Sequence, residues 1–139
     1  PKGKFENVRI LGPVRKETQC EVLASDSFKL GIKSIPCRES GKLDGSAAFE
    51  IVGPAGTVKK AQGLIVAKRH IHFDPAAAER FGVKDTELVD LVIPGERGAT
   101  FHNVVCRVHP TYALECHLDF DEGNGVGIGN GSIGEIVKK

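Results

Sequence analysis

Ala67-Lys68-Arg69-His70-Ile71-His72-Phe73-Asp74-Pro75 reads as a short strand that stops abruptly at a helix start. Side chains at i and i+2 of a strand share one face, roughly 6.5–7 Å apart. His70 and His72 therefore point the same way, while Ile71 and Phe73 turn to the opposite, buried face. Two imidazoles so placed can share one metal ion, since a nitrogen–zinc bond spans only about 2 Å. A pair of half-exposed strand histidines without any ligand satisfies the same pattern. Further ligands elsewhere in the chain are needed to separate the two readings.

Working outward, Asp74-Pro75-Ala76-Ala77-Ala78-Glu79-Arg80-Phe81-Gly82 carries the signals of a helix. It has an N-capping Asp, Pro at the first helical position, an alanine-rich body and a glycine stop. Ser25–Leu30, closed by Gly31, reads as a second short helix. Strands are expected over Asn7–Leu11, Cys20–Leu23, Ala48–Val52, Gly63–Ala67, Leu88–Ile93, Val104–Val108 and Glu115–Leu118. Turns fall at Gly53-Pro54-Ala55-Gly56 and Pro94-Gly95-Glu96-Arg97-Gly98. Many short strands with few helices predict a mainly β protein built from small β-barrels capped by short helices, an arrangement that protects sheet edges.

The chain also resembles itself. Phe5, Asn7, Val8, Cys20, Gly31 and Ile32 recur 96 residues later as Phe101, Asn103, Val104, Cys116, Gly127 and Ile128. Two copies of one supersecondary unit are expected, giving a first barrel over 1–66 and a second over 67–139. The second copy is preceded by the His70-Ile71-His72 strand, whose counterpart would lie upstream of Pro1. The first copy is therefore expected to lack its opening strand. The absence of methionine and the start at Pro1 also read as a fragment or trimmed chain.

Bulk properties narrow the class. A chain of 139 residues can bury roughly two-thirds of its unfolded surface. Its 40% hydrophobic and 27% charged residues are those of a soluble globular protein. A formal net charge of +1 lacks the footprint of nucleic-acid or membrane-surface binding. No apolar run reaches the length of a membrane span. Cys20, Cys37, Cys106 and Cys116 form no C-x-x-C pair, and with no secretory signal they are expected as reduced thiols.

The repeat places Glu21 and His117 at equivalent positions, each following a cysteine near a strand end. Together with His70 and His72 they make a His/carboxylate set suited to zinc. Cys20 and Cys116, one residue away, are expected to face the core. His102 and His109 lack such a pattern and read as surface or loop residues. Arg15 lies in the turn leading to Glu21, where a guanidinium could grip a phosphate bidentately or stand as an ordinary loop cation. Arg38-Glu39-Ser40-Gly41 is a polar turn of similar ambiguity. Gly129-Asn130-Gly131-Ser132-Ile133-Gly134 has the spacing of a dinucleotide loop, but too little chain follows for its helix.

Several segments together resemble the PduL-type phosphate propanoyltransferases, the phosphotransacylases of bacterial microcompartments. They are Arg69–Pro75, Arg80–Asp85, Pro94–Val104 and Ala113–Asp119 in the second half, with Leu11–Glu21 and Arg38–Gly41 in the first. The resemblance runs in order along essentially the whole chain. It implies two helix-capped β-barrels and two zinc ions, with acyl transfer between coenzyme A and phosphate. By this likeness His70, His72, His117 and Glu21 are metal ligands, Arg15 handles phosphate, and Gln19 and Ser40 join it in binding substrate. The departure lies at the start, where the family has an earlier His-x-His strand for the other zinc. In the family that strand joins the barrel of the C-terminal half, so the likeness implies that the second barrel, 67–139, lacks its N-terminal His-x-His strand. About one zinc and little activity are therefore expected of this chain. The likeness further implies an acyl-CoA such as propanoyl-CoA or acetyl-CoA, no nucleic-acid or membrane partner, and room for a homo-oligomer. It points to the bacterial cytoplasm, within a microcompartment lumen of the propanediol-degrading kind. A non-catalytic β-barrel that binds ligands or serves as scaffold remains the alternative, because fold does not dictate function.

Overall fold

The computed structural model describes residues 3–139, so the expected start of the first domain at Pro1 lies outside the described residues. The chain is mainly β and divides into two compact units, one ending at Lys68 and the other running from Arg69 to Lys139.

The first unit contains β1 (Cys20–Glu21), α1 (Asp26–Leu30), β2 (Cys37–Arg38), β3 (Ala47–Gly53) and β4 (Gly56–Ala67). β3 and β4 form an antiparallel hairpin whose Pro54-Ala55 tip follows directly from the turn signal, with Gly53 opposite Gly56. The inner end of β4 carries Leu64, Ile65 and Val66, the apolar run that is buried here. That end gathers both short strands in parallel, β1 at Leu64 and Ile65 and β2 at Val66 and Ala67. Gly63 makes this packing possible. Its φ is +121°, and a Cβ there would lie 2.5 Å from the Thr18 carbonyl oxygen.

The second unit contains β5 (His70–Phe73), α2 (Pro75–Phe81), β6 (Leu88–Ile93), β7 (Ala99–Val108), β8 (Glu115–His117), α3 (Phe120–Val126) and β9 (Glu135–Lys138). Its sheet has the order β8-β5-β7-β6-β9. One face of that sheet forms the core. Ile71 and Phe73 from β5, Val89, Leu91 and Ile93 from β6, and Val104 and Cys106 from β7 meet Ala77 and Ala78 of α2 and Val126 of α3. α2 starts as its sequence dictates. The Asp74 carboxylate accepts from the Ala77 N–H at 3.0 Å, and Gly82 ends the helix at φ +63°.

Three expectations need correction. Neither sheet closes on itself: the second ends on β8 and β9, so the described strands form open sheets where barrels were expected. Asn7–Leu11 forms no strand among the described residues, because no other strand pairs with it, and Val8, Ile10 and Leu11 are exposed. Cys116 is exposed and Cys20 only half-buried, although both were expected in the core; β8 is an edge strand. All four cysteines are free thiols.

Local geometry does recur at the 96-residue offset. Asn7 and Asn103 both take positive φ, +58° and +60°. Gly31 and Gly127 both cap helices in the left-handed region, and Ile32 N–H to Ser27 oxygen is matched by Ile128 N–H to Gly123 oxygen.

Candidate metal centre

β5 lies between β7 and β8, and its register decides what faces what. On β8 His70 is opposite His117, Ile71 opposite Cys116 and His72 opposite Glu115. Because Ile71 and Phe73 are drawn into the core, His70 and His72 occupy the other face, and His117 joins them there. The ring centroids of His70 and His117 are 4.8 Å apart and nearly parallel, at 7°. His72 lies 4.4 Å from His117 and 4.8 Å from His70, inclined by 51° and 48°. One ring nitrogen from each of the three falls within 4.8 Å of the others.

The fit to a metal ion rests on what these nitrogens lack. Nε2 of His72 and Nε2 of His117 are both buried with no hydrogen-bond partner. The Glu115 carboxylate stands 3.7 Å from His117 Nε2, too far for a hydrogen bond. A buried polar atom left unsatisfied costs about 1–3 kcal/mol. Two such atoms within a group of three close imidazoles make a site that could hold a shared ion. Protonation favours the same conclusion. Burial, reinforced by His117, His70 and Arg107, pushes His72 down to about 4, so it is neutral at neutral pH, the form that binds metal.

The site is held at both ends. Arg69, just before His70, donates to the Glu122 carboxylate at 2.6 Å and to the His102 carbonyl at 2.7 and 3.1 Å. Glu122 belongs to the first turn of α3, which begins three residues after His117. There Asp119 and Glu122 form a reciprocal capping box. This helix was absent from the sequence reading, although Asp119-x-x-Glu122 was a signal that could have found it. Tyr112, stacked on His72, was likewise not singled out. His102 is exposed on β7, 2.7 Å from Asp90, and His109 is exposed in a turn.

The first unit brings its own expected residues together. The Ser40 hydroxyl oxygen accepts from Arg15 Nη1 at 2.7 Å and from Gln19 Nε2 at 2.9 Å. Gln19 Nε2 also donates to Glu21 at 2.5 Å, and its carbonyl accepts from the Gly41 N–H at 2.8 Å. The Gly41 contact dictates the amide orientation. With two bonds accepted, the Ser40 hydroxyl retains a proton to donate.

No helix among the described residues is long and apolar enough to cross a membrane. A sequence model of the family described as phosphate propanoyltransferase matches residues 1–129. Relatives of that name are similar along the chain. The protein from Rhodobacter capsulatus is 50% identical over 99% of this chain and 64% of its own length. That from Thermotoga maritima is 47% identical over 99% of this chain and 66% of its own, and that from Lachnoclostridium phytofermentans 50% over 96% and 62%. The chain thus spans just under two thirds of the length of these relatives. With its match to the family over most of its residues, the chain belongs to the phosphate propanoyltransferases.

Proposed function

We propose that this chain carries part of a zinc-dependent phosphate acyltransferase, which interconverts acyl-CoA plus phosphate with acyl-phosphate plus CoA. Propanoyl-CoA or acetyl-CoA is the acyl donor in this reading. The observation that carries it is the three-histidine group with two buried, unpartnered Nε2 atoms, in a chain whose relatives bear that enzyme's name. Imidazole donors suit zinc, and His70, His72 and His117 would hold it. Glu21, in the first unit, is proposed as a metal ligand on the family likeness alone. When bound, zinc supplies Lewis acidity, which favours the thiolate of coenzyme A and polarises a thioester carbonyl.

The chain's own residues supply an anion site. Arg15 has five N–H donors, one of them engaged by Ser40, and Ser40 has a proton to give. Both are suited to phosphate oxygens, and Gln19 holds Ser40 in place for them. A phosphate oxygen then attacks the acyl carbon directly. The new C–O bond forms, the C–S bond breaks, and coenzyme A leaves with the electron pair. A cysteine nucleophile is disfavoured at two positions. Burial pushes the Cys106 thiol up to about 11 and raises that of Cys20 as well. Mass spectrometry that detected an acylated protein during turnover would overturn direct attack.

The two units are further proposed to be repeats of one supersecondary element, a reading supported by the matched Asn7/Asn103 and Gly31/Gly127 conformations. A place in a bacterial microcompartment is proposed on family membership alone. The test is elemental analysis for zinc, paired with phosphate-dependent release of CoA from acyl-CoA. About one zinc per chain is expected, lost in His70→Ala and His117→Ala along with any turnover. Histidine variants that keep their zinc would sink the ligand assignment. Thioester cleavage independent of phosphate would mark a hydrolase instead.

A further inference from the structure

His72 has a ring neighbour besides the other two histidines. The Tyr112 ring stacks on its imidazole, with centroids 3.9 Å apart and planes within 12°. Tyr112 comes from no strand. It closes the turn His109-Pro110-Thr111-Tyr112, in which its N–H donates to the His109 carbonyl at 3.0 Å. Proline at the second position pre-sets φ for such a turn. The turn is pinned where it begins, because the His109 N–H donates to the Phe73 carbonyl at 3.0 Å. Phe73 is the residue after His72 on β5. Inside the turn His109 Nδ1 lies 2.8 Å from the Thr111 hydroxyl, and the His109 ring lies 5.2 Å from that of Tyr112. The phenol ring is therefore anchored to the ligand strand through the backbone.

Among the three histidines, His72 is the one whose ring plane the others do not set. His70 and His117 lie flat against each other, while His72 is tilted by about 50° to both. The second side-chain torsion of histidine is broad, so an imidazole without a packing partner can swing its nitrogen off a metal.

We propose that Tyr112 is a positioning residue of the metal centre: its ring, held by the pinned turn, sets the plane of the His72 imidazole and so the direction of Nε2. This rests on the reading that His70, His72 and His117 bind a metal. A flat ring is what the role needs, and the hydroxyl is dispensable. The same stack turns Tyr112 into a reporter. The chain has one tyrosine and no tryptophan, so its ultraviolet emission arises from a ring in contact with a ligand.

The test measures zinc affinity of the whole 139-residue chain by competition with a chromogenic chelator, recording tyrosine emission in the same titration. Tyr112→Phe and Tyr112→Leu both keep apolar bulk, but only the first keeps a flat ring. Circular dichroism checks the fold of each. Tyr112→Phe is expected within about two-fold of the parent, and Tyr112→Leu to bind on the order of ten-fold more weakly. Pro110→Gly, which loosens the turn and leaves the ring intact, should weaken binding in the same direction. Parental emission should change with zinc and saturate with it. Equal zinc affinity in the parent and Tyr112→Leu overturns the positioning role and leaves the metal reading standing. Emission blind to bound zinc, or a Phe variant as weak as the Leu variant, overturns it too. A parent chain that binds no zinc overturns both readings.

Discussion

Arg69 and Glu122 stitch together the two ends of the histidine site, and removing either should show how much that stitch contributes. Their contact is 2.6 Å, with side chains 29% and 20% exposed. The guanidinium is oriented by two further bonds to the His102 carbonyl and lies 5.3 Å from the centre of the Phe101 ring. Glu122 is oriented by the Asp119 N–H at 3.2 Å. Fully exposed pairs couple by about 0.2–1 kcal/mol, much of it lost to ordering long side chains. Here both partners are already ordered and mostly shielded. We predict a coupling of about 1–1.5 kcal/mol in the Arg69→Ala/Glu122→Ala double-mutant cycle. Glu122→Ala alone should cost more, about 2 kcal/mol, because half of the α3 capping box goes with it. Urea unfolding followed by Tyr112 emission measures this within the second unit. A coupling below about 0.3 kcal/mol would mean that shielding and pre-orientation add nothing, and that the pair is an ordinary surface contact.

The other predictions are more local. Asp74→Ala should lower stability by about 1 kcal/mol through loss of the α2 N-cap, and Asp74→Asn should recover most of it in the same urea assay. Gly63→Ala should cost at least about 2 kcal/mol, read as a lower thermal midpoint, since it meets the Thr18 carbonyl and strains a positive φ. The metal-free chain should weaken in acid because of His72. Its folded-state value of about 4 lies below the ordinary 6.5, so between those values the unfolded chain holds a proton that the folded chain does not. Stability is then full above about 6.5 and falls as pH drops towards 4. His72→Asn should flatten that slope, and an unaltered slope would assign the effect to another group. Zinc at a hundred times its Kd should add about 2.7 kcal/mol, reversed by chelator and missing from His117→Ala.

What could be read in advance was what local chemistry decides. α2 was legible because Asp74, Pro75, the alanines and Gly82 each act within one turn of the chain. The shared face of His70 and His72 followed from strand period alone. α3 was missed because Gly123 and Gly125 make Phe120–Val126 a poor intrinsic helix, rescued by the Asp119/Glu122 box and by Val126 in the core. β2 and β9 exist through partners distant in sequence, β4 and β6, which no local window contains. Asn7–Leu11 failed for the converse reason: its pattern suits a strand, but among the described residues no strand pairs with it. The arrival of His117 beside His70 was suggested by the repeat, whereas the stacking of Tyr112 on His72 depends on a turn docking to β5 and had no signature.

The pairing of β5 with β7 and β8 also has a kinetic consequence. His70 can meet His117 only after the chain through α2, β6 and β7 has closed a long loop, and non-local pairings of that kind form late. The capped α2 and the β6–β7 hairpin, by contrast, are made from near neighbours in sequence and are the natural first structures. An ion that reached the nascent chain would find only the His70-Ile71-His72 pair, too few ligands to act as a nucleus. Metal capture should therefore come at the end of folding, as a latch on an assembled sheet.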